Sequence, residues 1–92
     1  MIAGFKHKAL KRLFETGEPR GINPHYAEKI GNILTVLNAA STIEGLDLPS
    51  FRLHPLKGDM KGFWAVTVRA NWRIVFKFED GRAFDVDLVD YH

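Results

Sequence analysis

The chain has 92 residues, of which 46% are hydrophobic and 26% charged, with a net charge of +2 and no cysteine. This is the composition of an ordinary globular chain, and it excludes both disorder as the main state and a multidomain enzyme with a large cofactor fold. A single domain over residues 1–92 is expected, with a thin core, because a chain of this size buries only roughly 60–65% of its extended surface. Without cysteine there are no disulfides, thiol nucleophiles or thiolate metal sites. No run approaches the roughly 20 apolar residues that span a bilayer, and residues 1–11 lack the apolar stretch of a signal peptide. A cytoplasmic protein with no membrane association is therefore expected.

Residues 1–5 read as a short strand. From Lys6 onward Ala9, Leu10, Leu13 and Phe14 recur at helical spacing, and Gly17 with Glu18-Pro19 marks the stop. The outward face of this helix carries Lys8, Lys11 and Arg12. Asn23-Pro24 reads as an N-cap followed by proline at the first helical position, and Tyr26, Ile30, Ile33, Leu34 and Leu37 carry a second apolar stripe to about Ala40. A short loop joins the two helices, which predicts a helical hairpin. Residues 42–49 form a connector with room for one more helical turn.

From Phe63 the period changes to two, and segments 63–69, 72–78 and 83–89 read as strands. Matching Ile74, Phe76 and Phe78 to Leu88, Val86 and Phe84 calls for a three-residue turn, Asp80-Gly81-Arg82, with Lys77 opposite Asp85. A two-residue turn at Ala70-Asn71 would put Phe63, Ala65 and Thr67 on the core face. Trp64, Val66 and Val68 would then stand beside Arg73 and Val75 on an uncovered face. The expectation is an α+β fold, two N-terminal helices packed on one face of a mainly antiparallel twisted sheet.

Charge is uneven along this plan. Residues 52–77 carry six Lys or Arg against Asp59 alone, and residues 78–92 carry five Asp or Glu against Arg82. The basic block is a candidate anion-binding surface, unless adjacent strands neutralise it. Lys77 is discounted because it faces Asp85, whereas Arg73 has no acid across from it. The last strand should bring Asp90, Tyr91 and His92 beside Arg73. The four histidines lack metal-ligand spacing, and no phosphate-binding glycine loop is present, so neither metal nor cofactor is expected.

These residue types suit RNA cleavage, in which the 2′-OH is the nucleophile. Histidine can move the protons near neutral pH, arginine and lysine can neutralise the phosphorane, and tyrosine can stack a base. The residues alone leave open a non-catalytic RNA- or ribosome-binding module or a partner-dependent structural protein. Three pieces narrow the choice: Leu53-His54-Pro55-Leu56-Lys57-Gly58-Asp59, Val68-Arg69-Ala70-Asn71-Trp72-Arg73-Ile74, and the closing Val89-Asp90-Tyr91-His92. With these the sequence resembles the HigB-type toxins of the RelE superfamily over essentially its whole length, with a degenerate toxin as the alternative that the resemblance itself raises.

The resemblance implies a microbial-RNase-like fold and a toxin encoded beside a helix-turn-helix antitoxin of the HigA type. It also implies endonucleolytic cutting of mRNA in the A site of the 70S ribosome, leaving a 2′,3′-cyclic phosphate. Carried onto this chain, the family's catalytic pattern matches His54, Lys57, Arg73, Asp90, Tyr91 and His92. Lys8, Lys11, Arg12 and Arg69 are the expected RNA or ribosome contacts.

Overall fold

The computed structural model describes residues 1–91; His92 lies outside the described residues. Helix α1 spans Lys8–Thr16. It starts later than Lys6 because His7 caps it, its Nδ1 accepting the Leu10 N–H at 3.2 Å. It stops where expected, at Gly17, whose φ of 77° lets its N–H reach the Leu13 carbonyl. Helix α2, Ala27–Ala39, starts three residues after Pro24. The Asn23 side chain accepts the His25 N–H and its carbonyl accepts the Tyr26 N–H, so residues 23–26 close a turn before the helix rather than forming its first turn. The extra helical turn of the connector is present as a 3-10 helix, Ile43–Leu46.

Strands β1 (His54–Pro55), β2 (Trp64–Arg69), β3 (Trp72–Glu79) and β4 (Arg82–Asp90) form one antiparallel sheet in sequence order. The expected N-terminal strand is reduced to two parallel bridges on β4, Ile2 to Ala83 and Phe5 to Val86. Both helices lie on one sheet face. Leu10, Ile30, Ile33, Leu34 and Leu37 are buried in one cluster with Val66, Val68, Ile74, Phe76 and Val86. The α+β architecture read from the sequence is the one observed.

Two bulges change which side chains fill that core. The β3–β4 turn has two residues, Asp80-Gly81, since Glu79 pairs with Arg82. Both central residues have positive φ, 52° and 74°, as the tight turn matching strand twist requires. This overturns the three-residue loop. The register expected further along still holds, with Arg73 opposite Val89 and Ile74 opposite Leu88, because Asp85-Val86 opposes Phe76 alone. Asp85, at φ 52°, takes up the extra residue. Phe78 therefore meets Ala83, which is fully buried, and Phe84 is moved off the core face.

The first hairpin does turn at Ala70-Asn71, but the register shifts between Thr67 and Arg69. The face assignment is thereby inverted. Trp64, Val66 and Val68 pack toward the helices, and Ala65 lies on the other side. That outer face is not an open floor. Ala65, Val75 and Leu56 are buried there with Met60, Phe63 and Val89 against them, so the 56–63 segment folds over the sheet.

Candidate active site

β1 is a two-residue edge strand, with His54 opposite Ala65 and Pro55 opposite Trp64. Proline is tolerated there because an edge strand need not donate on its outer side. The segment before it is tied to β2, whose Thr67 N–H donates to the Phe51 carbonyl at 2.7 Å. The His54 Nδ1 lies 2.8 Å from the Arg52 carbonyl oxygen. A carbonyl only accepts, so Nδ1 carries the proton, and in the neutral ring Nε2 holds the lone pair. Arg52 sits at φ 49° to present that carbonyl.

At Arg52, where the chain enters β1 and β2 runs into the β2–β3 turn, is an open groove of about 550 Å³; His54 stands next to it in the chain but is not among its lining residues. Lys29, Arg52, Arg69 and Arg73 line it, and no acidic side chain does among the described residues. Arg73 is half-buried, and its Nη1 donates to the carbonyls of Ala70 (2.5 Å) and Trp72 (3.1 Å). The hairpin turn thus holds the guanidinium at the groove wall. Four cations without a counter-charge make a site for a polyanion.

Cross-strand pairing puts opposite residues on the same face, so two rows share the outer face of the sheet. One is His54, Ala65, Val75 and Asp87; the other is Thr67, Arg73 and Val89. With strands ~4.8 Å apart and ~3.3 Å per residue, the Cα atoms of His54 and Arg73 are roughly 12 Å apart. Strand alternation sends Tyr91 to this same face. Tyr91 is exposed, and its N–H donates to the Asn71 carbonyl at 2.7 Å, which fixes the strand end beside the hairpin turn.

Asp90 pairs with Trp72, whose ring packs on the helix-side core, so alternation places Asp90 on the other face from Arg73. Lys57 is exposed and precedes the 3-10 turn Gly58–Met60; it is not among the groove-lining residues. His92 lies outside the described residues. Arg69 is in the groove, whereas Lys8, Lys11 and Arg12 are exposed on α1 and do not line it. Lys77 is engaged elsewhere, over the Phe63 ring at 5.1 Å and 4.0 Å from Asp85. Among the described residues no three His, Asp or Glu side chains converge as metal ligands, and no helix is long and apolar enough to cross a membrane.

Sequence reasoning passed over two of the groove's cations. Arg52 was legible as the first residue of the basic block and two positions before His54. Lys29 carried no such signal; only the packing of α2 beside the hairpin turn brings it in.

Residues 3–92 match the family of RelE-like toxins of the type II toxin–antitoxin system HigB. The chain belongs to this HigB-like toxin family. It is 46% identical over 92 residues to Endoribonuclease HigB of Proteus vulgaris, covering all of both chains. To Toxin HigB-1 of Vibrio cholerae it is 29% identical over 90 residues, 96% of this chain and 95% of that one. Among solved structures, the YoeB-YefM complex from Staphylococcus aureus contains a similar chain, with a TM-score of 0.59, 18% identity, and coverage of 100% of this chain and 95% of that one. YafQ from E. coli strain BL21(DE3) has a TM-score of 0.57 at 18% identity, covering 98% and 91%. These two similarities establish a shared fold. The resemblance read from the three sequence pieces and the family match agree, and the chain is a type II toxin.

Proposed function

We propose that this toxin is an endoribonuclease that cuts translated mRNA in the ribosomal A site and so halts translation in the cytoplasm. The reaction class is that of its 46%-identical relative, Endoribonuclease HigB. The observation that carries the reading is a histidine with a fixed tautomer beside an uncompensated cationic groove.

In the reaction, His54 Nε2 takes the proton of the 2′-OH, and the 2′-oxygen attacks the adjacent phosphorus. The phosphorane gains negative charge, which Arg73 and Lys57 neutralise. Arg73 uses Nη1 for its two carbonyl anchors, so the remaining donors of its fork serve the phosphate. The bond from phosphorus to the 5′-oxygen then breaks, and His92 returns a proton to that oxygen. The products are a 2′,3′-cyclic phosphate and a 5′-hydroxyl. Tyr91 stacks on or positions a nucleotide, and Asp90 orients a histidine or the strand end. Every proton is accounted for by two histidines, and no metal or cofactor is required. Arg69, with Lys8, Lys11 and Arg12 on α1, contacts messenger or ribosomal phosphates, and a helix-turn-helix antitoxin of the HigA type is the neutralising partner.

Brief expression in bacteria beside the Arg73→Ala form, with mapping of mRNA 5′ ends, tests this. In-frame cuts within coding regions, absent in the variant, are the expected result. Growth arrest without cuts would replace this reading with a ribosome-binding module.

A further inference from the structure

A second cleft, of about 320 Å³, adjoins the cationic groove. It is lined by His25, Tyr26, Glu28, Lys29, Asn32 and Arg69. Lys29 and Arg69 belong to both walls, so the two depressions are neighbours, one reaching Arg73 and the other the first turns of α2. Their chemistry differs. The charged side chains at the Arg73 end are all cations, which bind phosphate whatever the base. Beyond Lys29 the wall offers an aromatic ring, an amide and a carboxylate.

That second set matches an unpaired nucleobase. A flat ring stacks on its face, and Asn32 has both a donor and an acceptor for its edge. Tyr26 is half-buried and packs on the main core, which fixes where its ring stands. Glu28, Lys29 and Asn32 are exposed, and their spacing puts Glu28 and Asn32 on one helix face with Lys29 beside them.

We propose that this cleft is a subsite for the nucleotide adjoining the scissile phosphate. Lys29 and Arg69 hold its phosphate, and Tyr26, Asn32 and Glu28 receive its base. The subsite deepens the proposed function and rests on it. Its ligand is single-stranded RNA continuous with the cleaved strand, because a base paired in a duplex cannot reach Tyr26.

The test uses the purified protein and a mixed-sequence hexanucleotide with 2′-O-methyl sugars, which cannot be cut. Lys29→Ala is expected to weaken binding about 3- to 10-fold at low salt and to lower the slope of log K against log salt by about 0.7, the effect of one phosphate contact on a single strand. Asn32→Ala is expected to weaken binding with the slope unchanged. In mapped 5′ ends, Asn32→Ala should also shift the base composition beside the cut while cutting stays in frame.

Wild-type affinity and slope in both variants would overturn the subsite. So would a wild-type protein that prefers duplex RNA or fails to bind the hexanucleotide. A uniform loss of cuts in Asn32→Ala, with base composition unchanged, would also overturn it by marking a ribosomal RNA contact. The hexanucleotide reports on the cleft whether or not the protein cleaves. Failure of the nuclease reading would appear separately, as a wild-type protein that makes no cuts.

Discussion

Replacing Arg73 by alanine separates the catalytic reading from a structural one. Structurally, the substitution removes two bonds from Nη1 to backbone carbonyls, one exposed and one half-buried. At a net ~0.5–1.5 kcal/mol each, with the exposed bond at the low end, stability should fall by under about 2 kcal/mol. The variant should fold, since the core of Phe76, Ile74 and Val66 is untouched. Catalytically, the loss removes a fixed donor aimed at the charge that develops on the phosphorane. Loss of one such donor costs about 2.7–4 kcal/mol of transition-state stabilisation, or roughly 10²–10³ in rate. Arg73→Lys keeps the charge but not the planar fork anchored at Ala70 and Trp72, and should fall between the two. The assay is single-turnover cleavage of mRNA on programmed ribosomes at saturating toxin, with urea denaturation of the same samples. An alanine variant cutting within threefold of wild type would refute the assignment. A variant that is slow only because much of it is unfolded would refute the energetic argument.

Other substitutions probe separate links. His54→Asn keeps a donor near the Nδ1 position for the Arg52 carbonyl but has no basic nitrogen; denaturation should be near wild type, and the cleavage rate should fall by about 10²–10⁴. Phe76→Ala empties the largest fully buried side chain and should cost about 3–5 kcal/mol by urea denaturation. Phe84→Ala, displaced from the core by the Asp85 bulge, should cost under about 1.5 kcal/mol, whereas Ala83→Leu at the fully buried neighbour should cost about 1–3 kcal/mol through overpacking. Gly17→Ala, forced to φ 77°, should lose about 1–2 kcal/mol in thermal or urea unfolding.

The helices and strands were legible because their periods differ, and because Gly17 and Ala70-Asn71 punctuate them in the expected places. What alternation could not supply was parity across a bulge. In Trp64-Ala65-Val66-Thr67-Val68 either set of alternate residues can line a core, and Ala83-Phe84 offers an apolar residue at each parity. The pattern therefore fits both registers, and the turns decide between them. Asp80-Gly81 takes the two-residue turn its residues favour, and the strand absorbs the mismatch at Asp85. The site was partly legible for the same reason. The β3–β4 register near Arg73 and Val89 survives the bulge at Asp85, so Arg73 and the strand carrying Tyr91 were correctly joined, whereas the β2–β3 bulge puts Thr67 and not Val68 opposite Arg73. Lys29 depends on how a helix docks against a hairpin turn, which no local pattern encodes.

The basic block is only weakly opposed by the acids of β4. Lys77 pairs with Phe84, and Asp85 sits in the bulge, reaching Lys77 only at 4.0 Å with both side chains more than half exposed. Such a pair contributes little and is screened by salt. Glu79 and Asp80 lie at the far turn, with Arg82 and Phe84. The basic residues that count, Arg52, Arg69 and Arg73, gather at the opposite end of the sheet, joined by Lys29 from α2. The net charge of +2 therefore conceals a local cluster of cations at one end of the sheet. A phosphate backbone is attracted to that groove. Because that attraction is carried by exposed cations, it should weaken with ionic strength as docking through phosphates does.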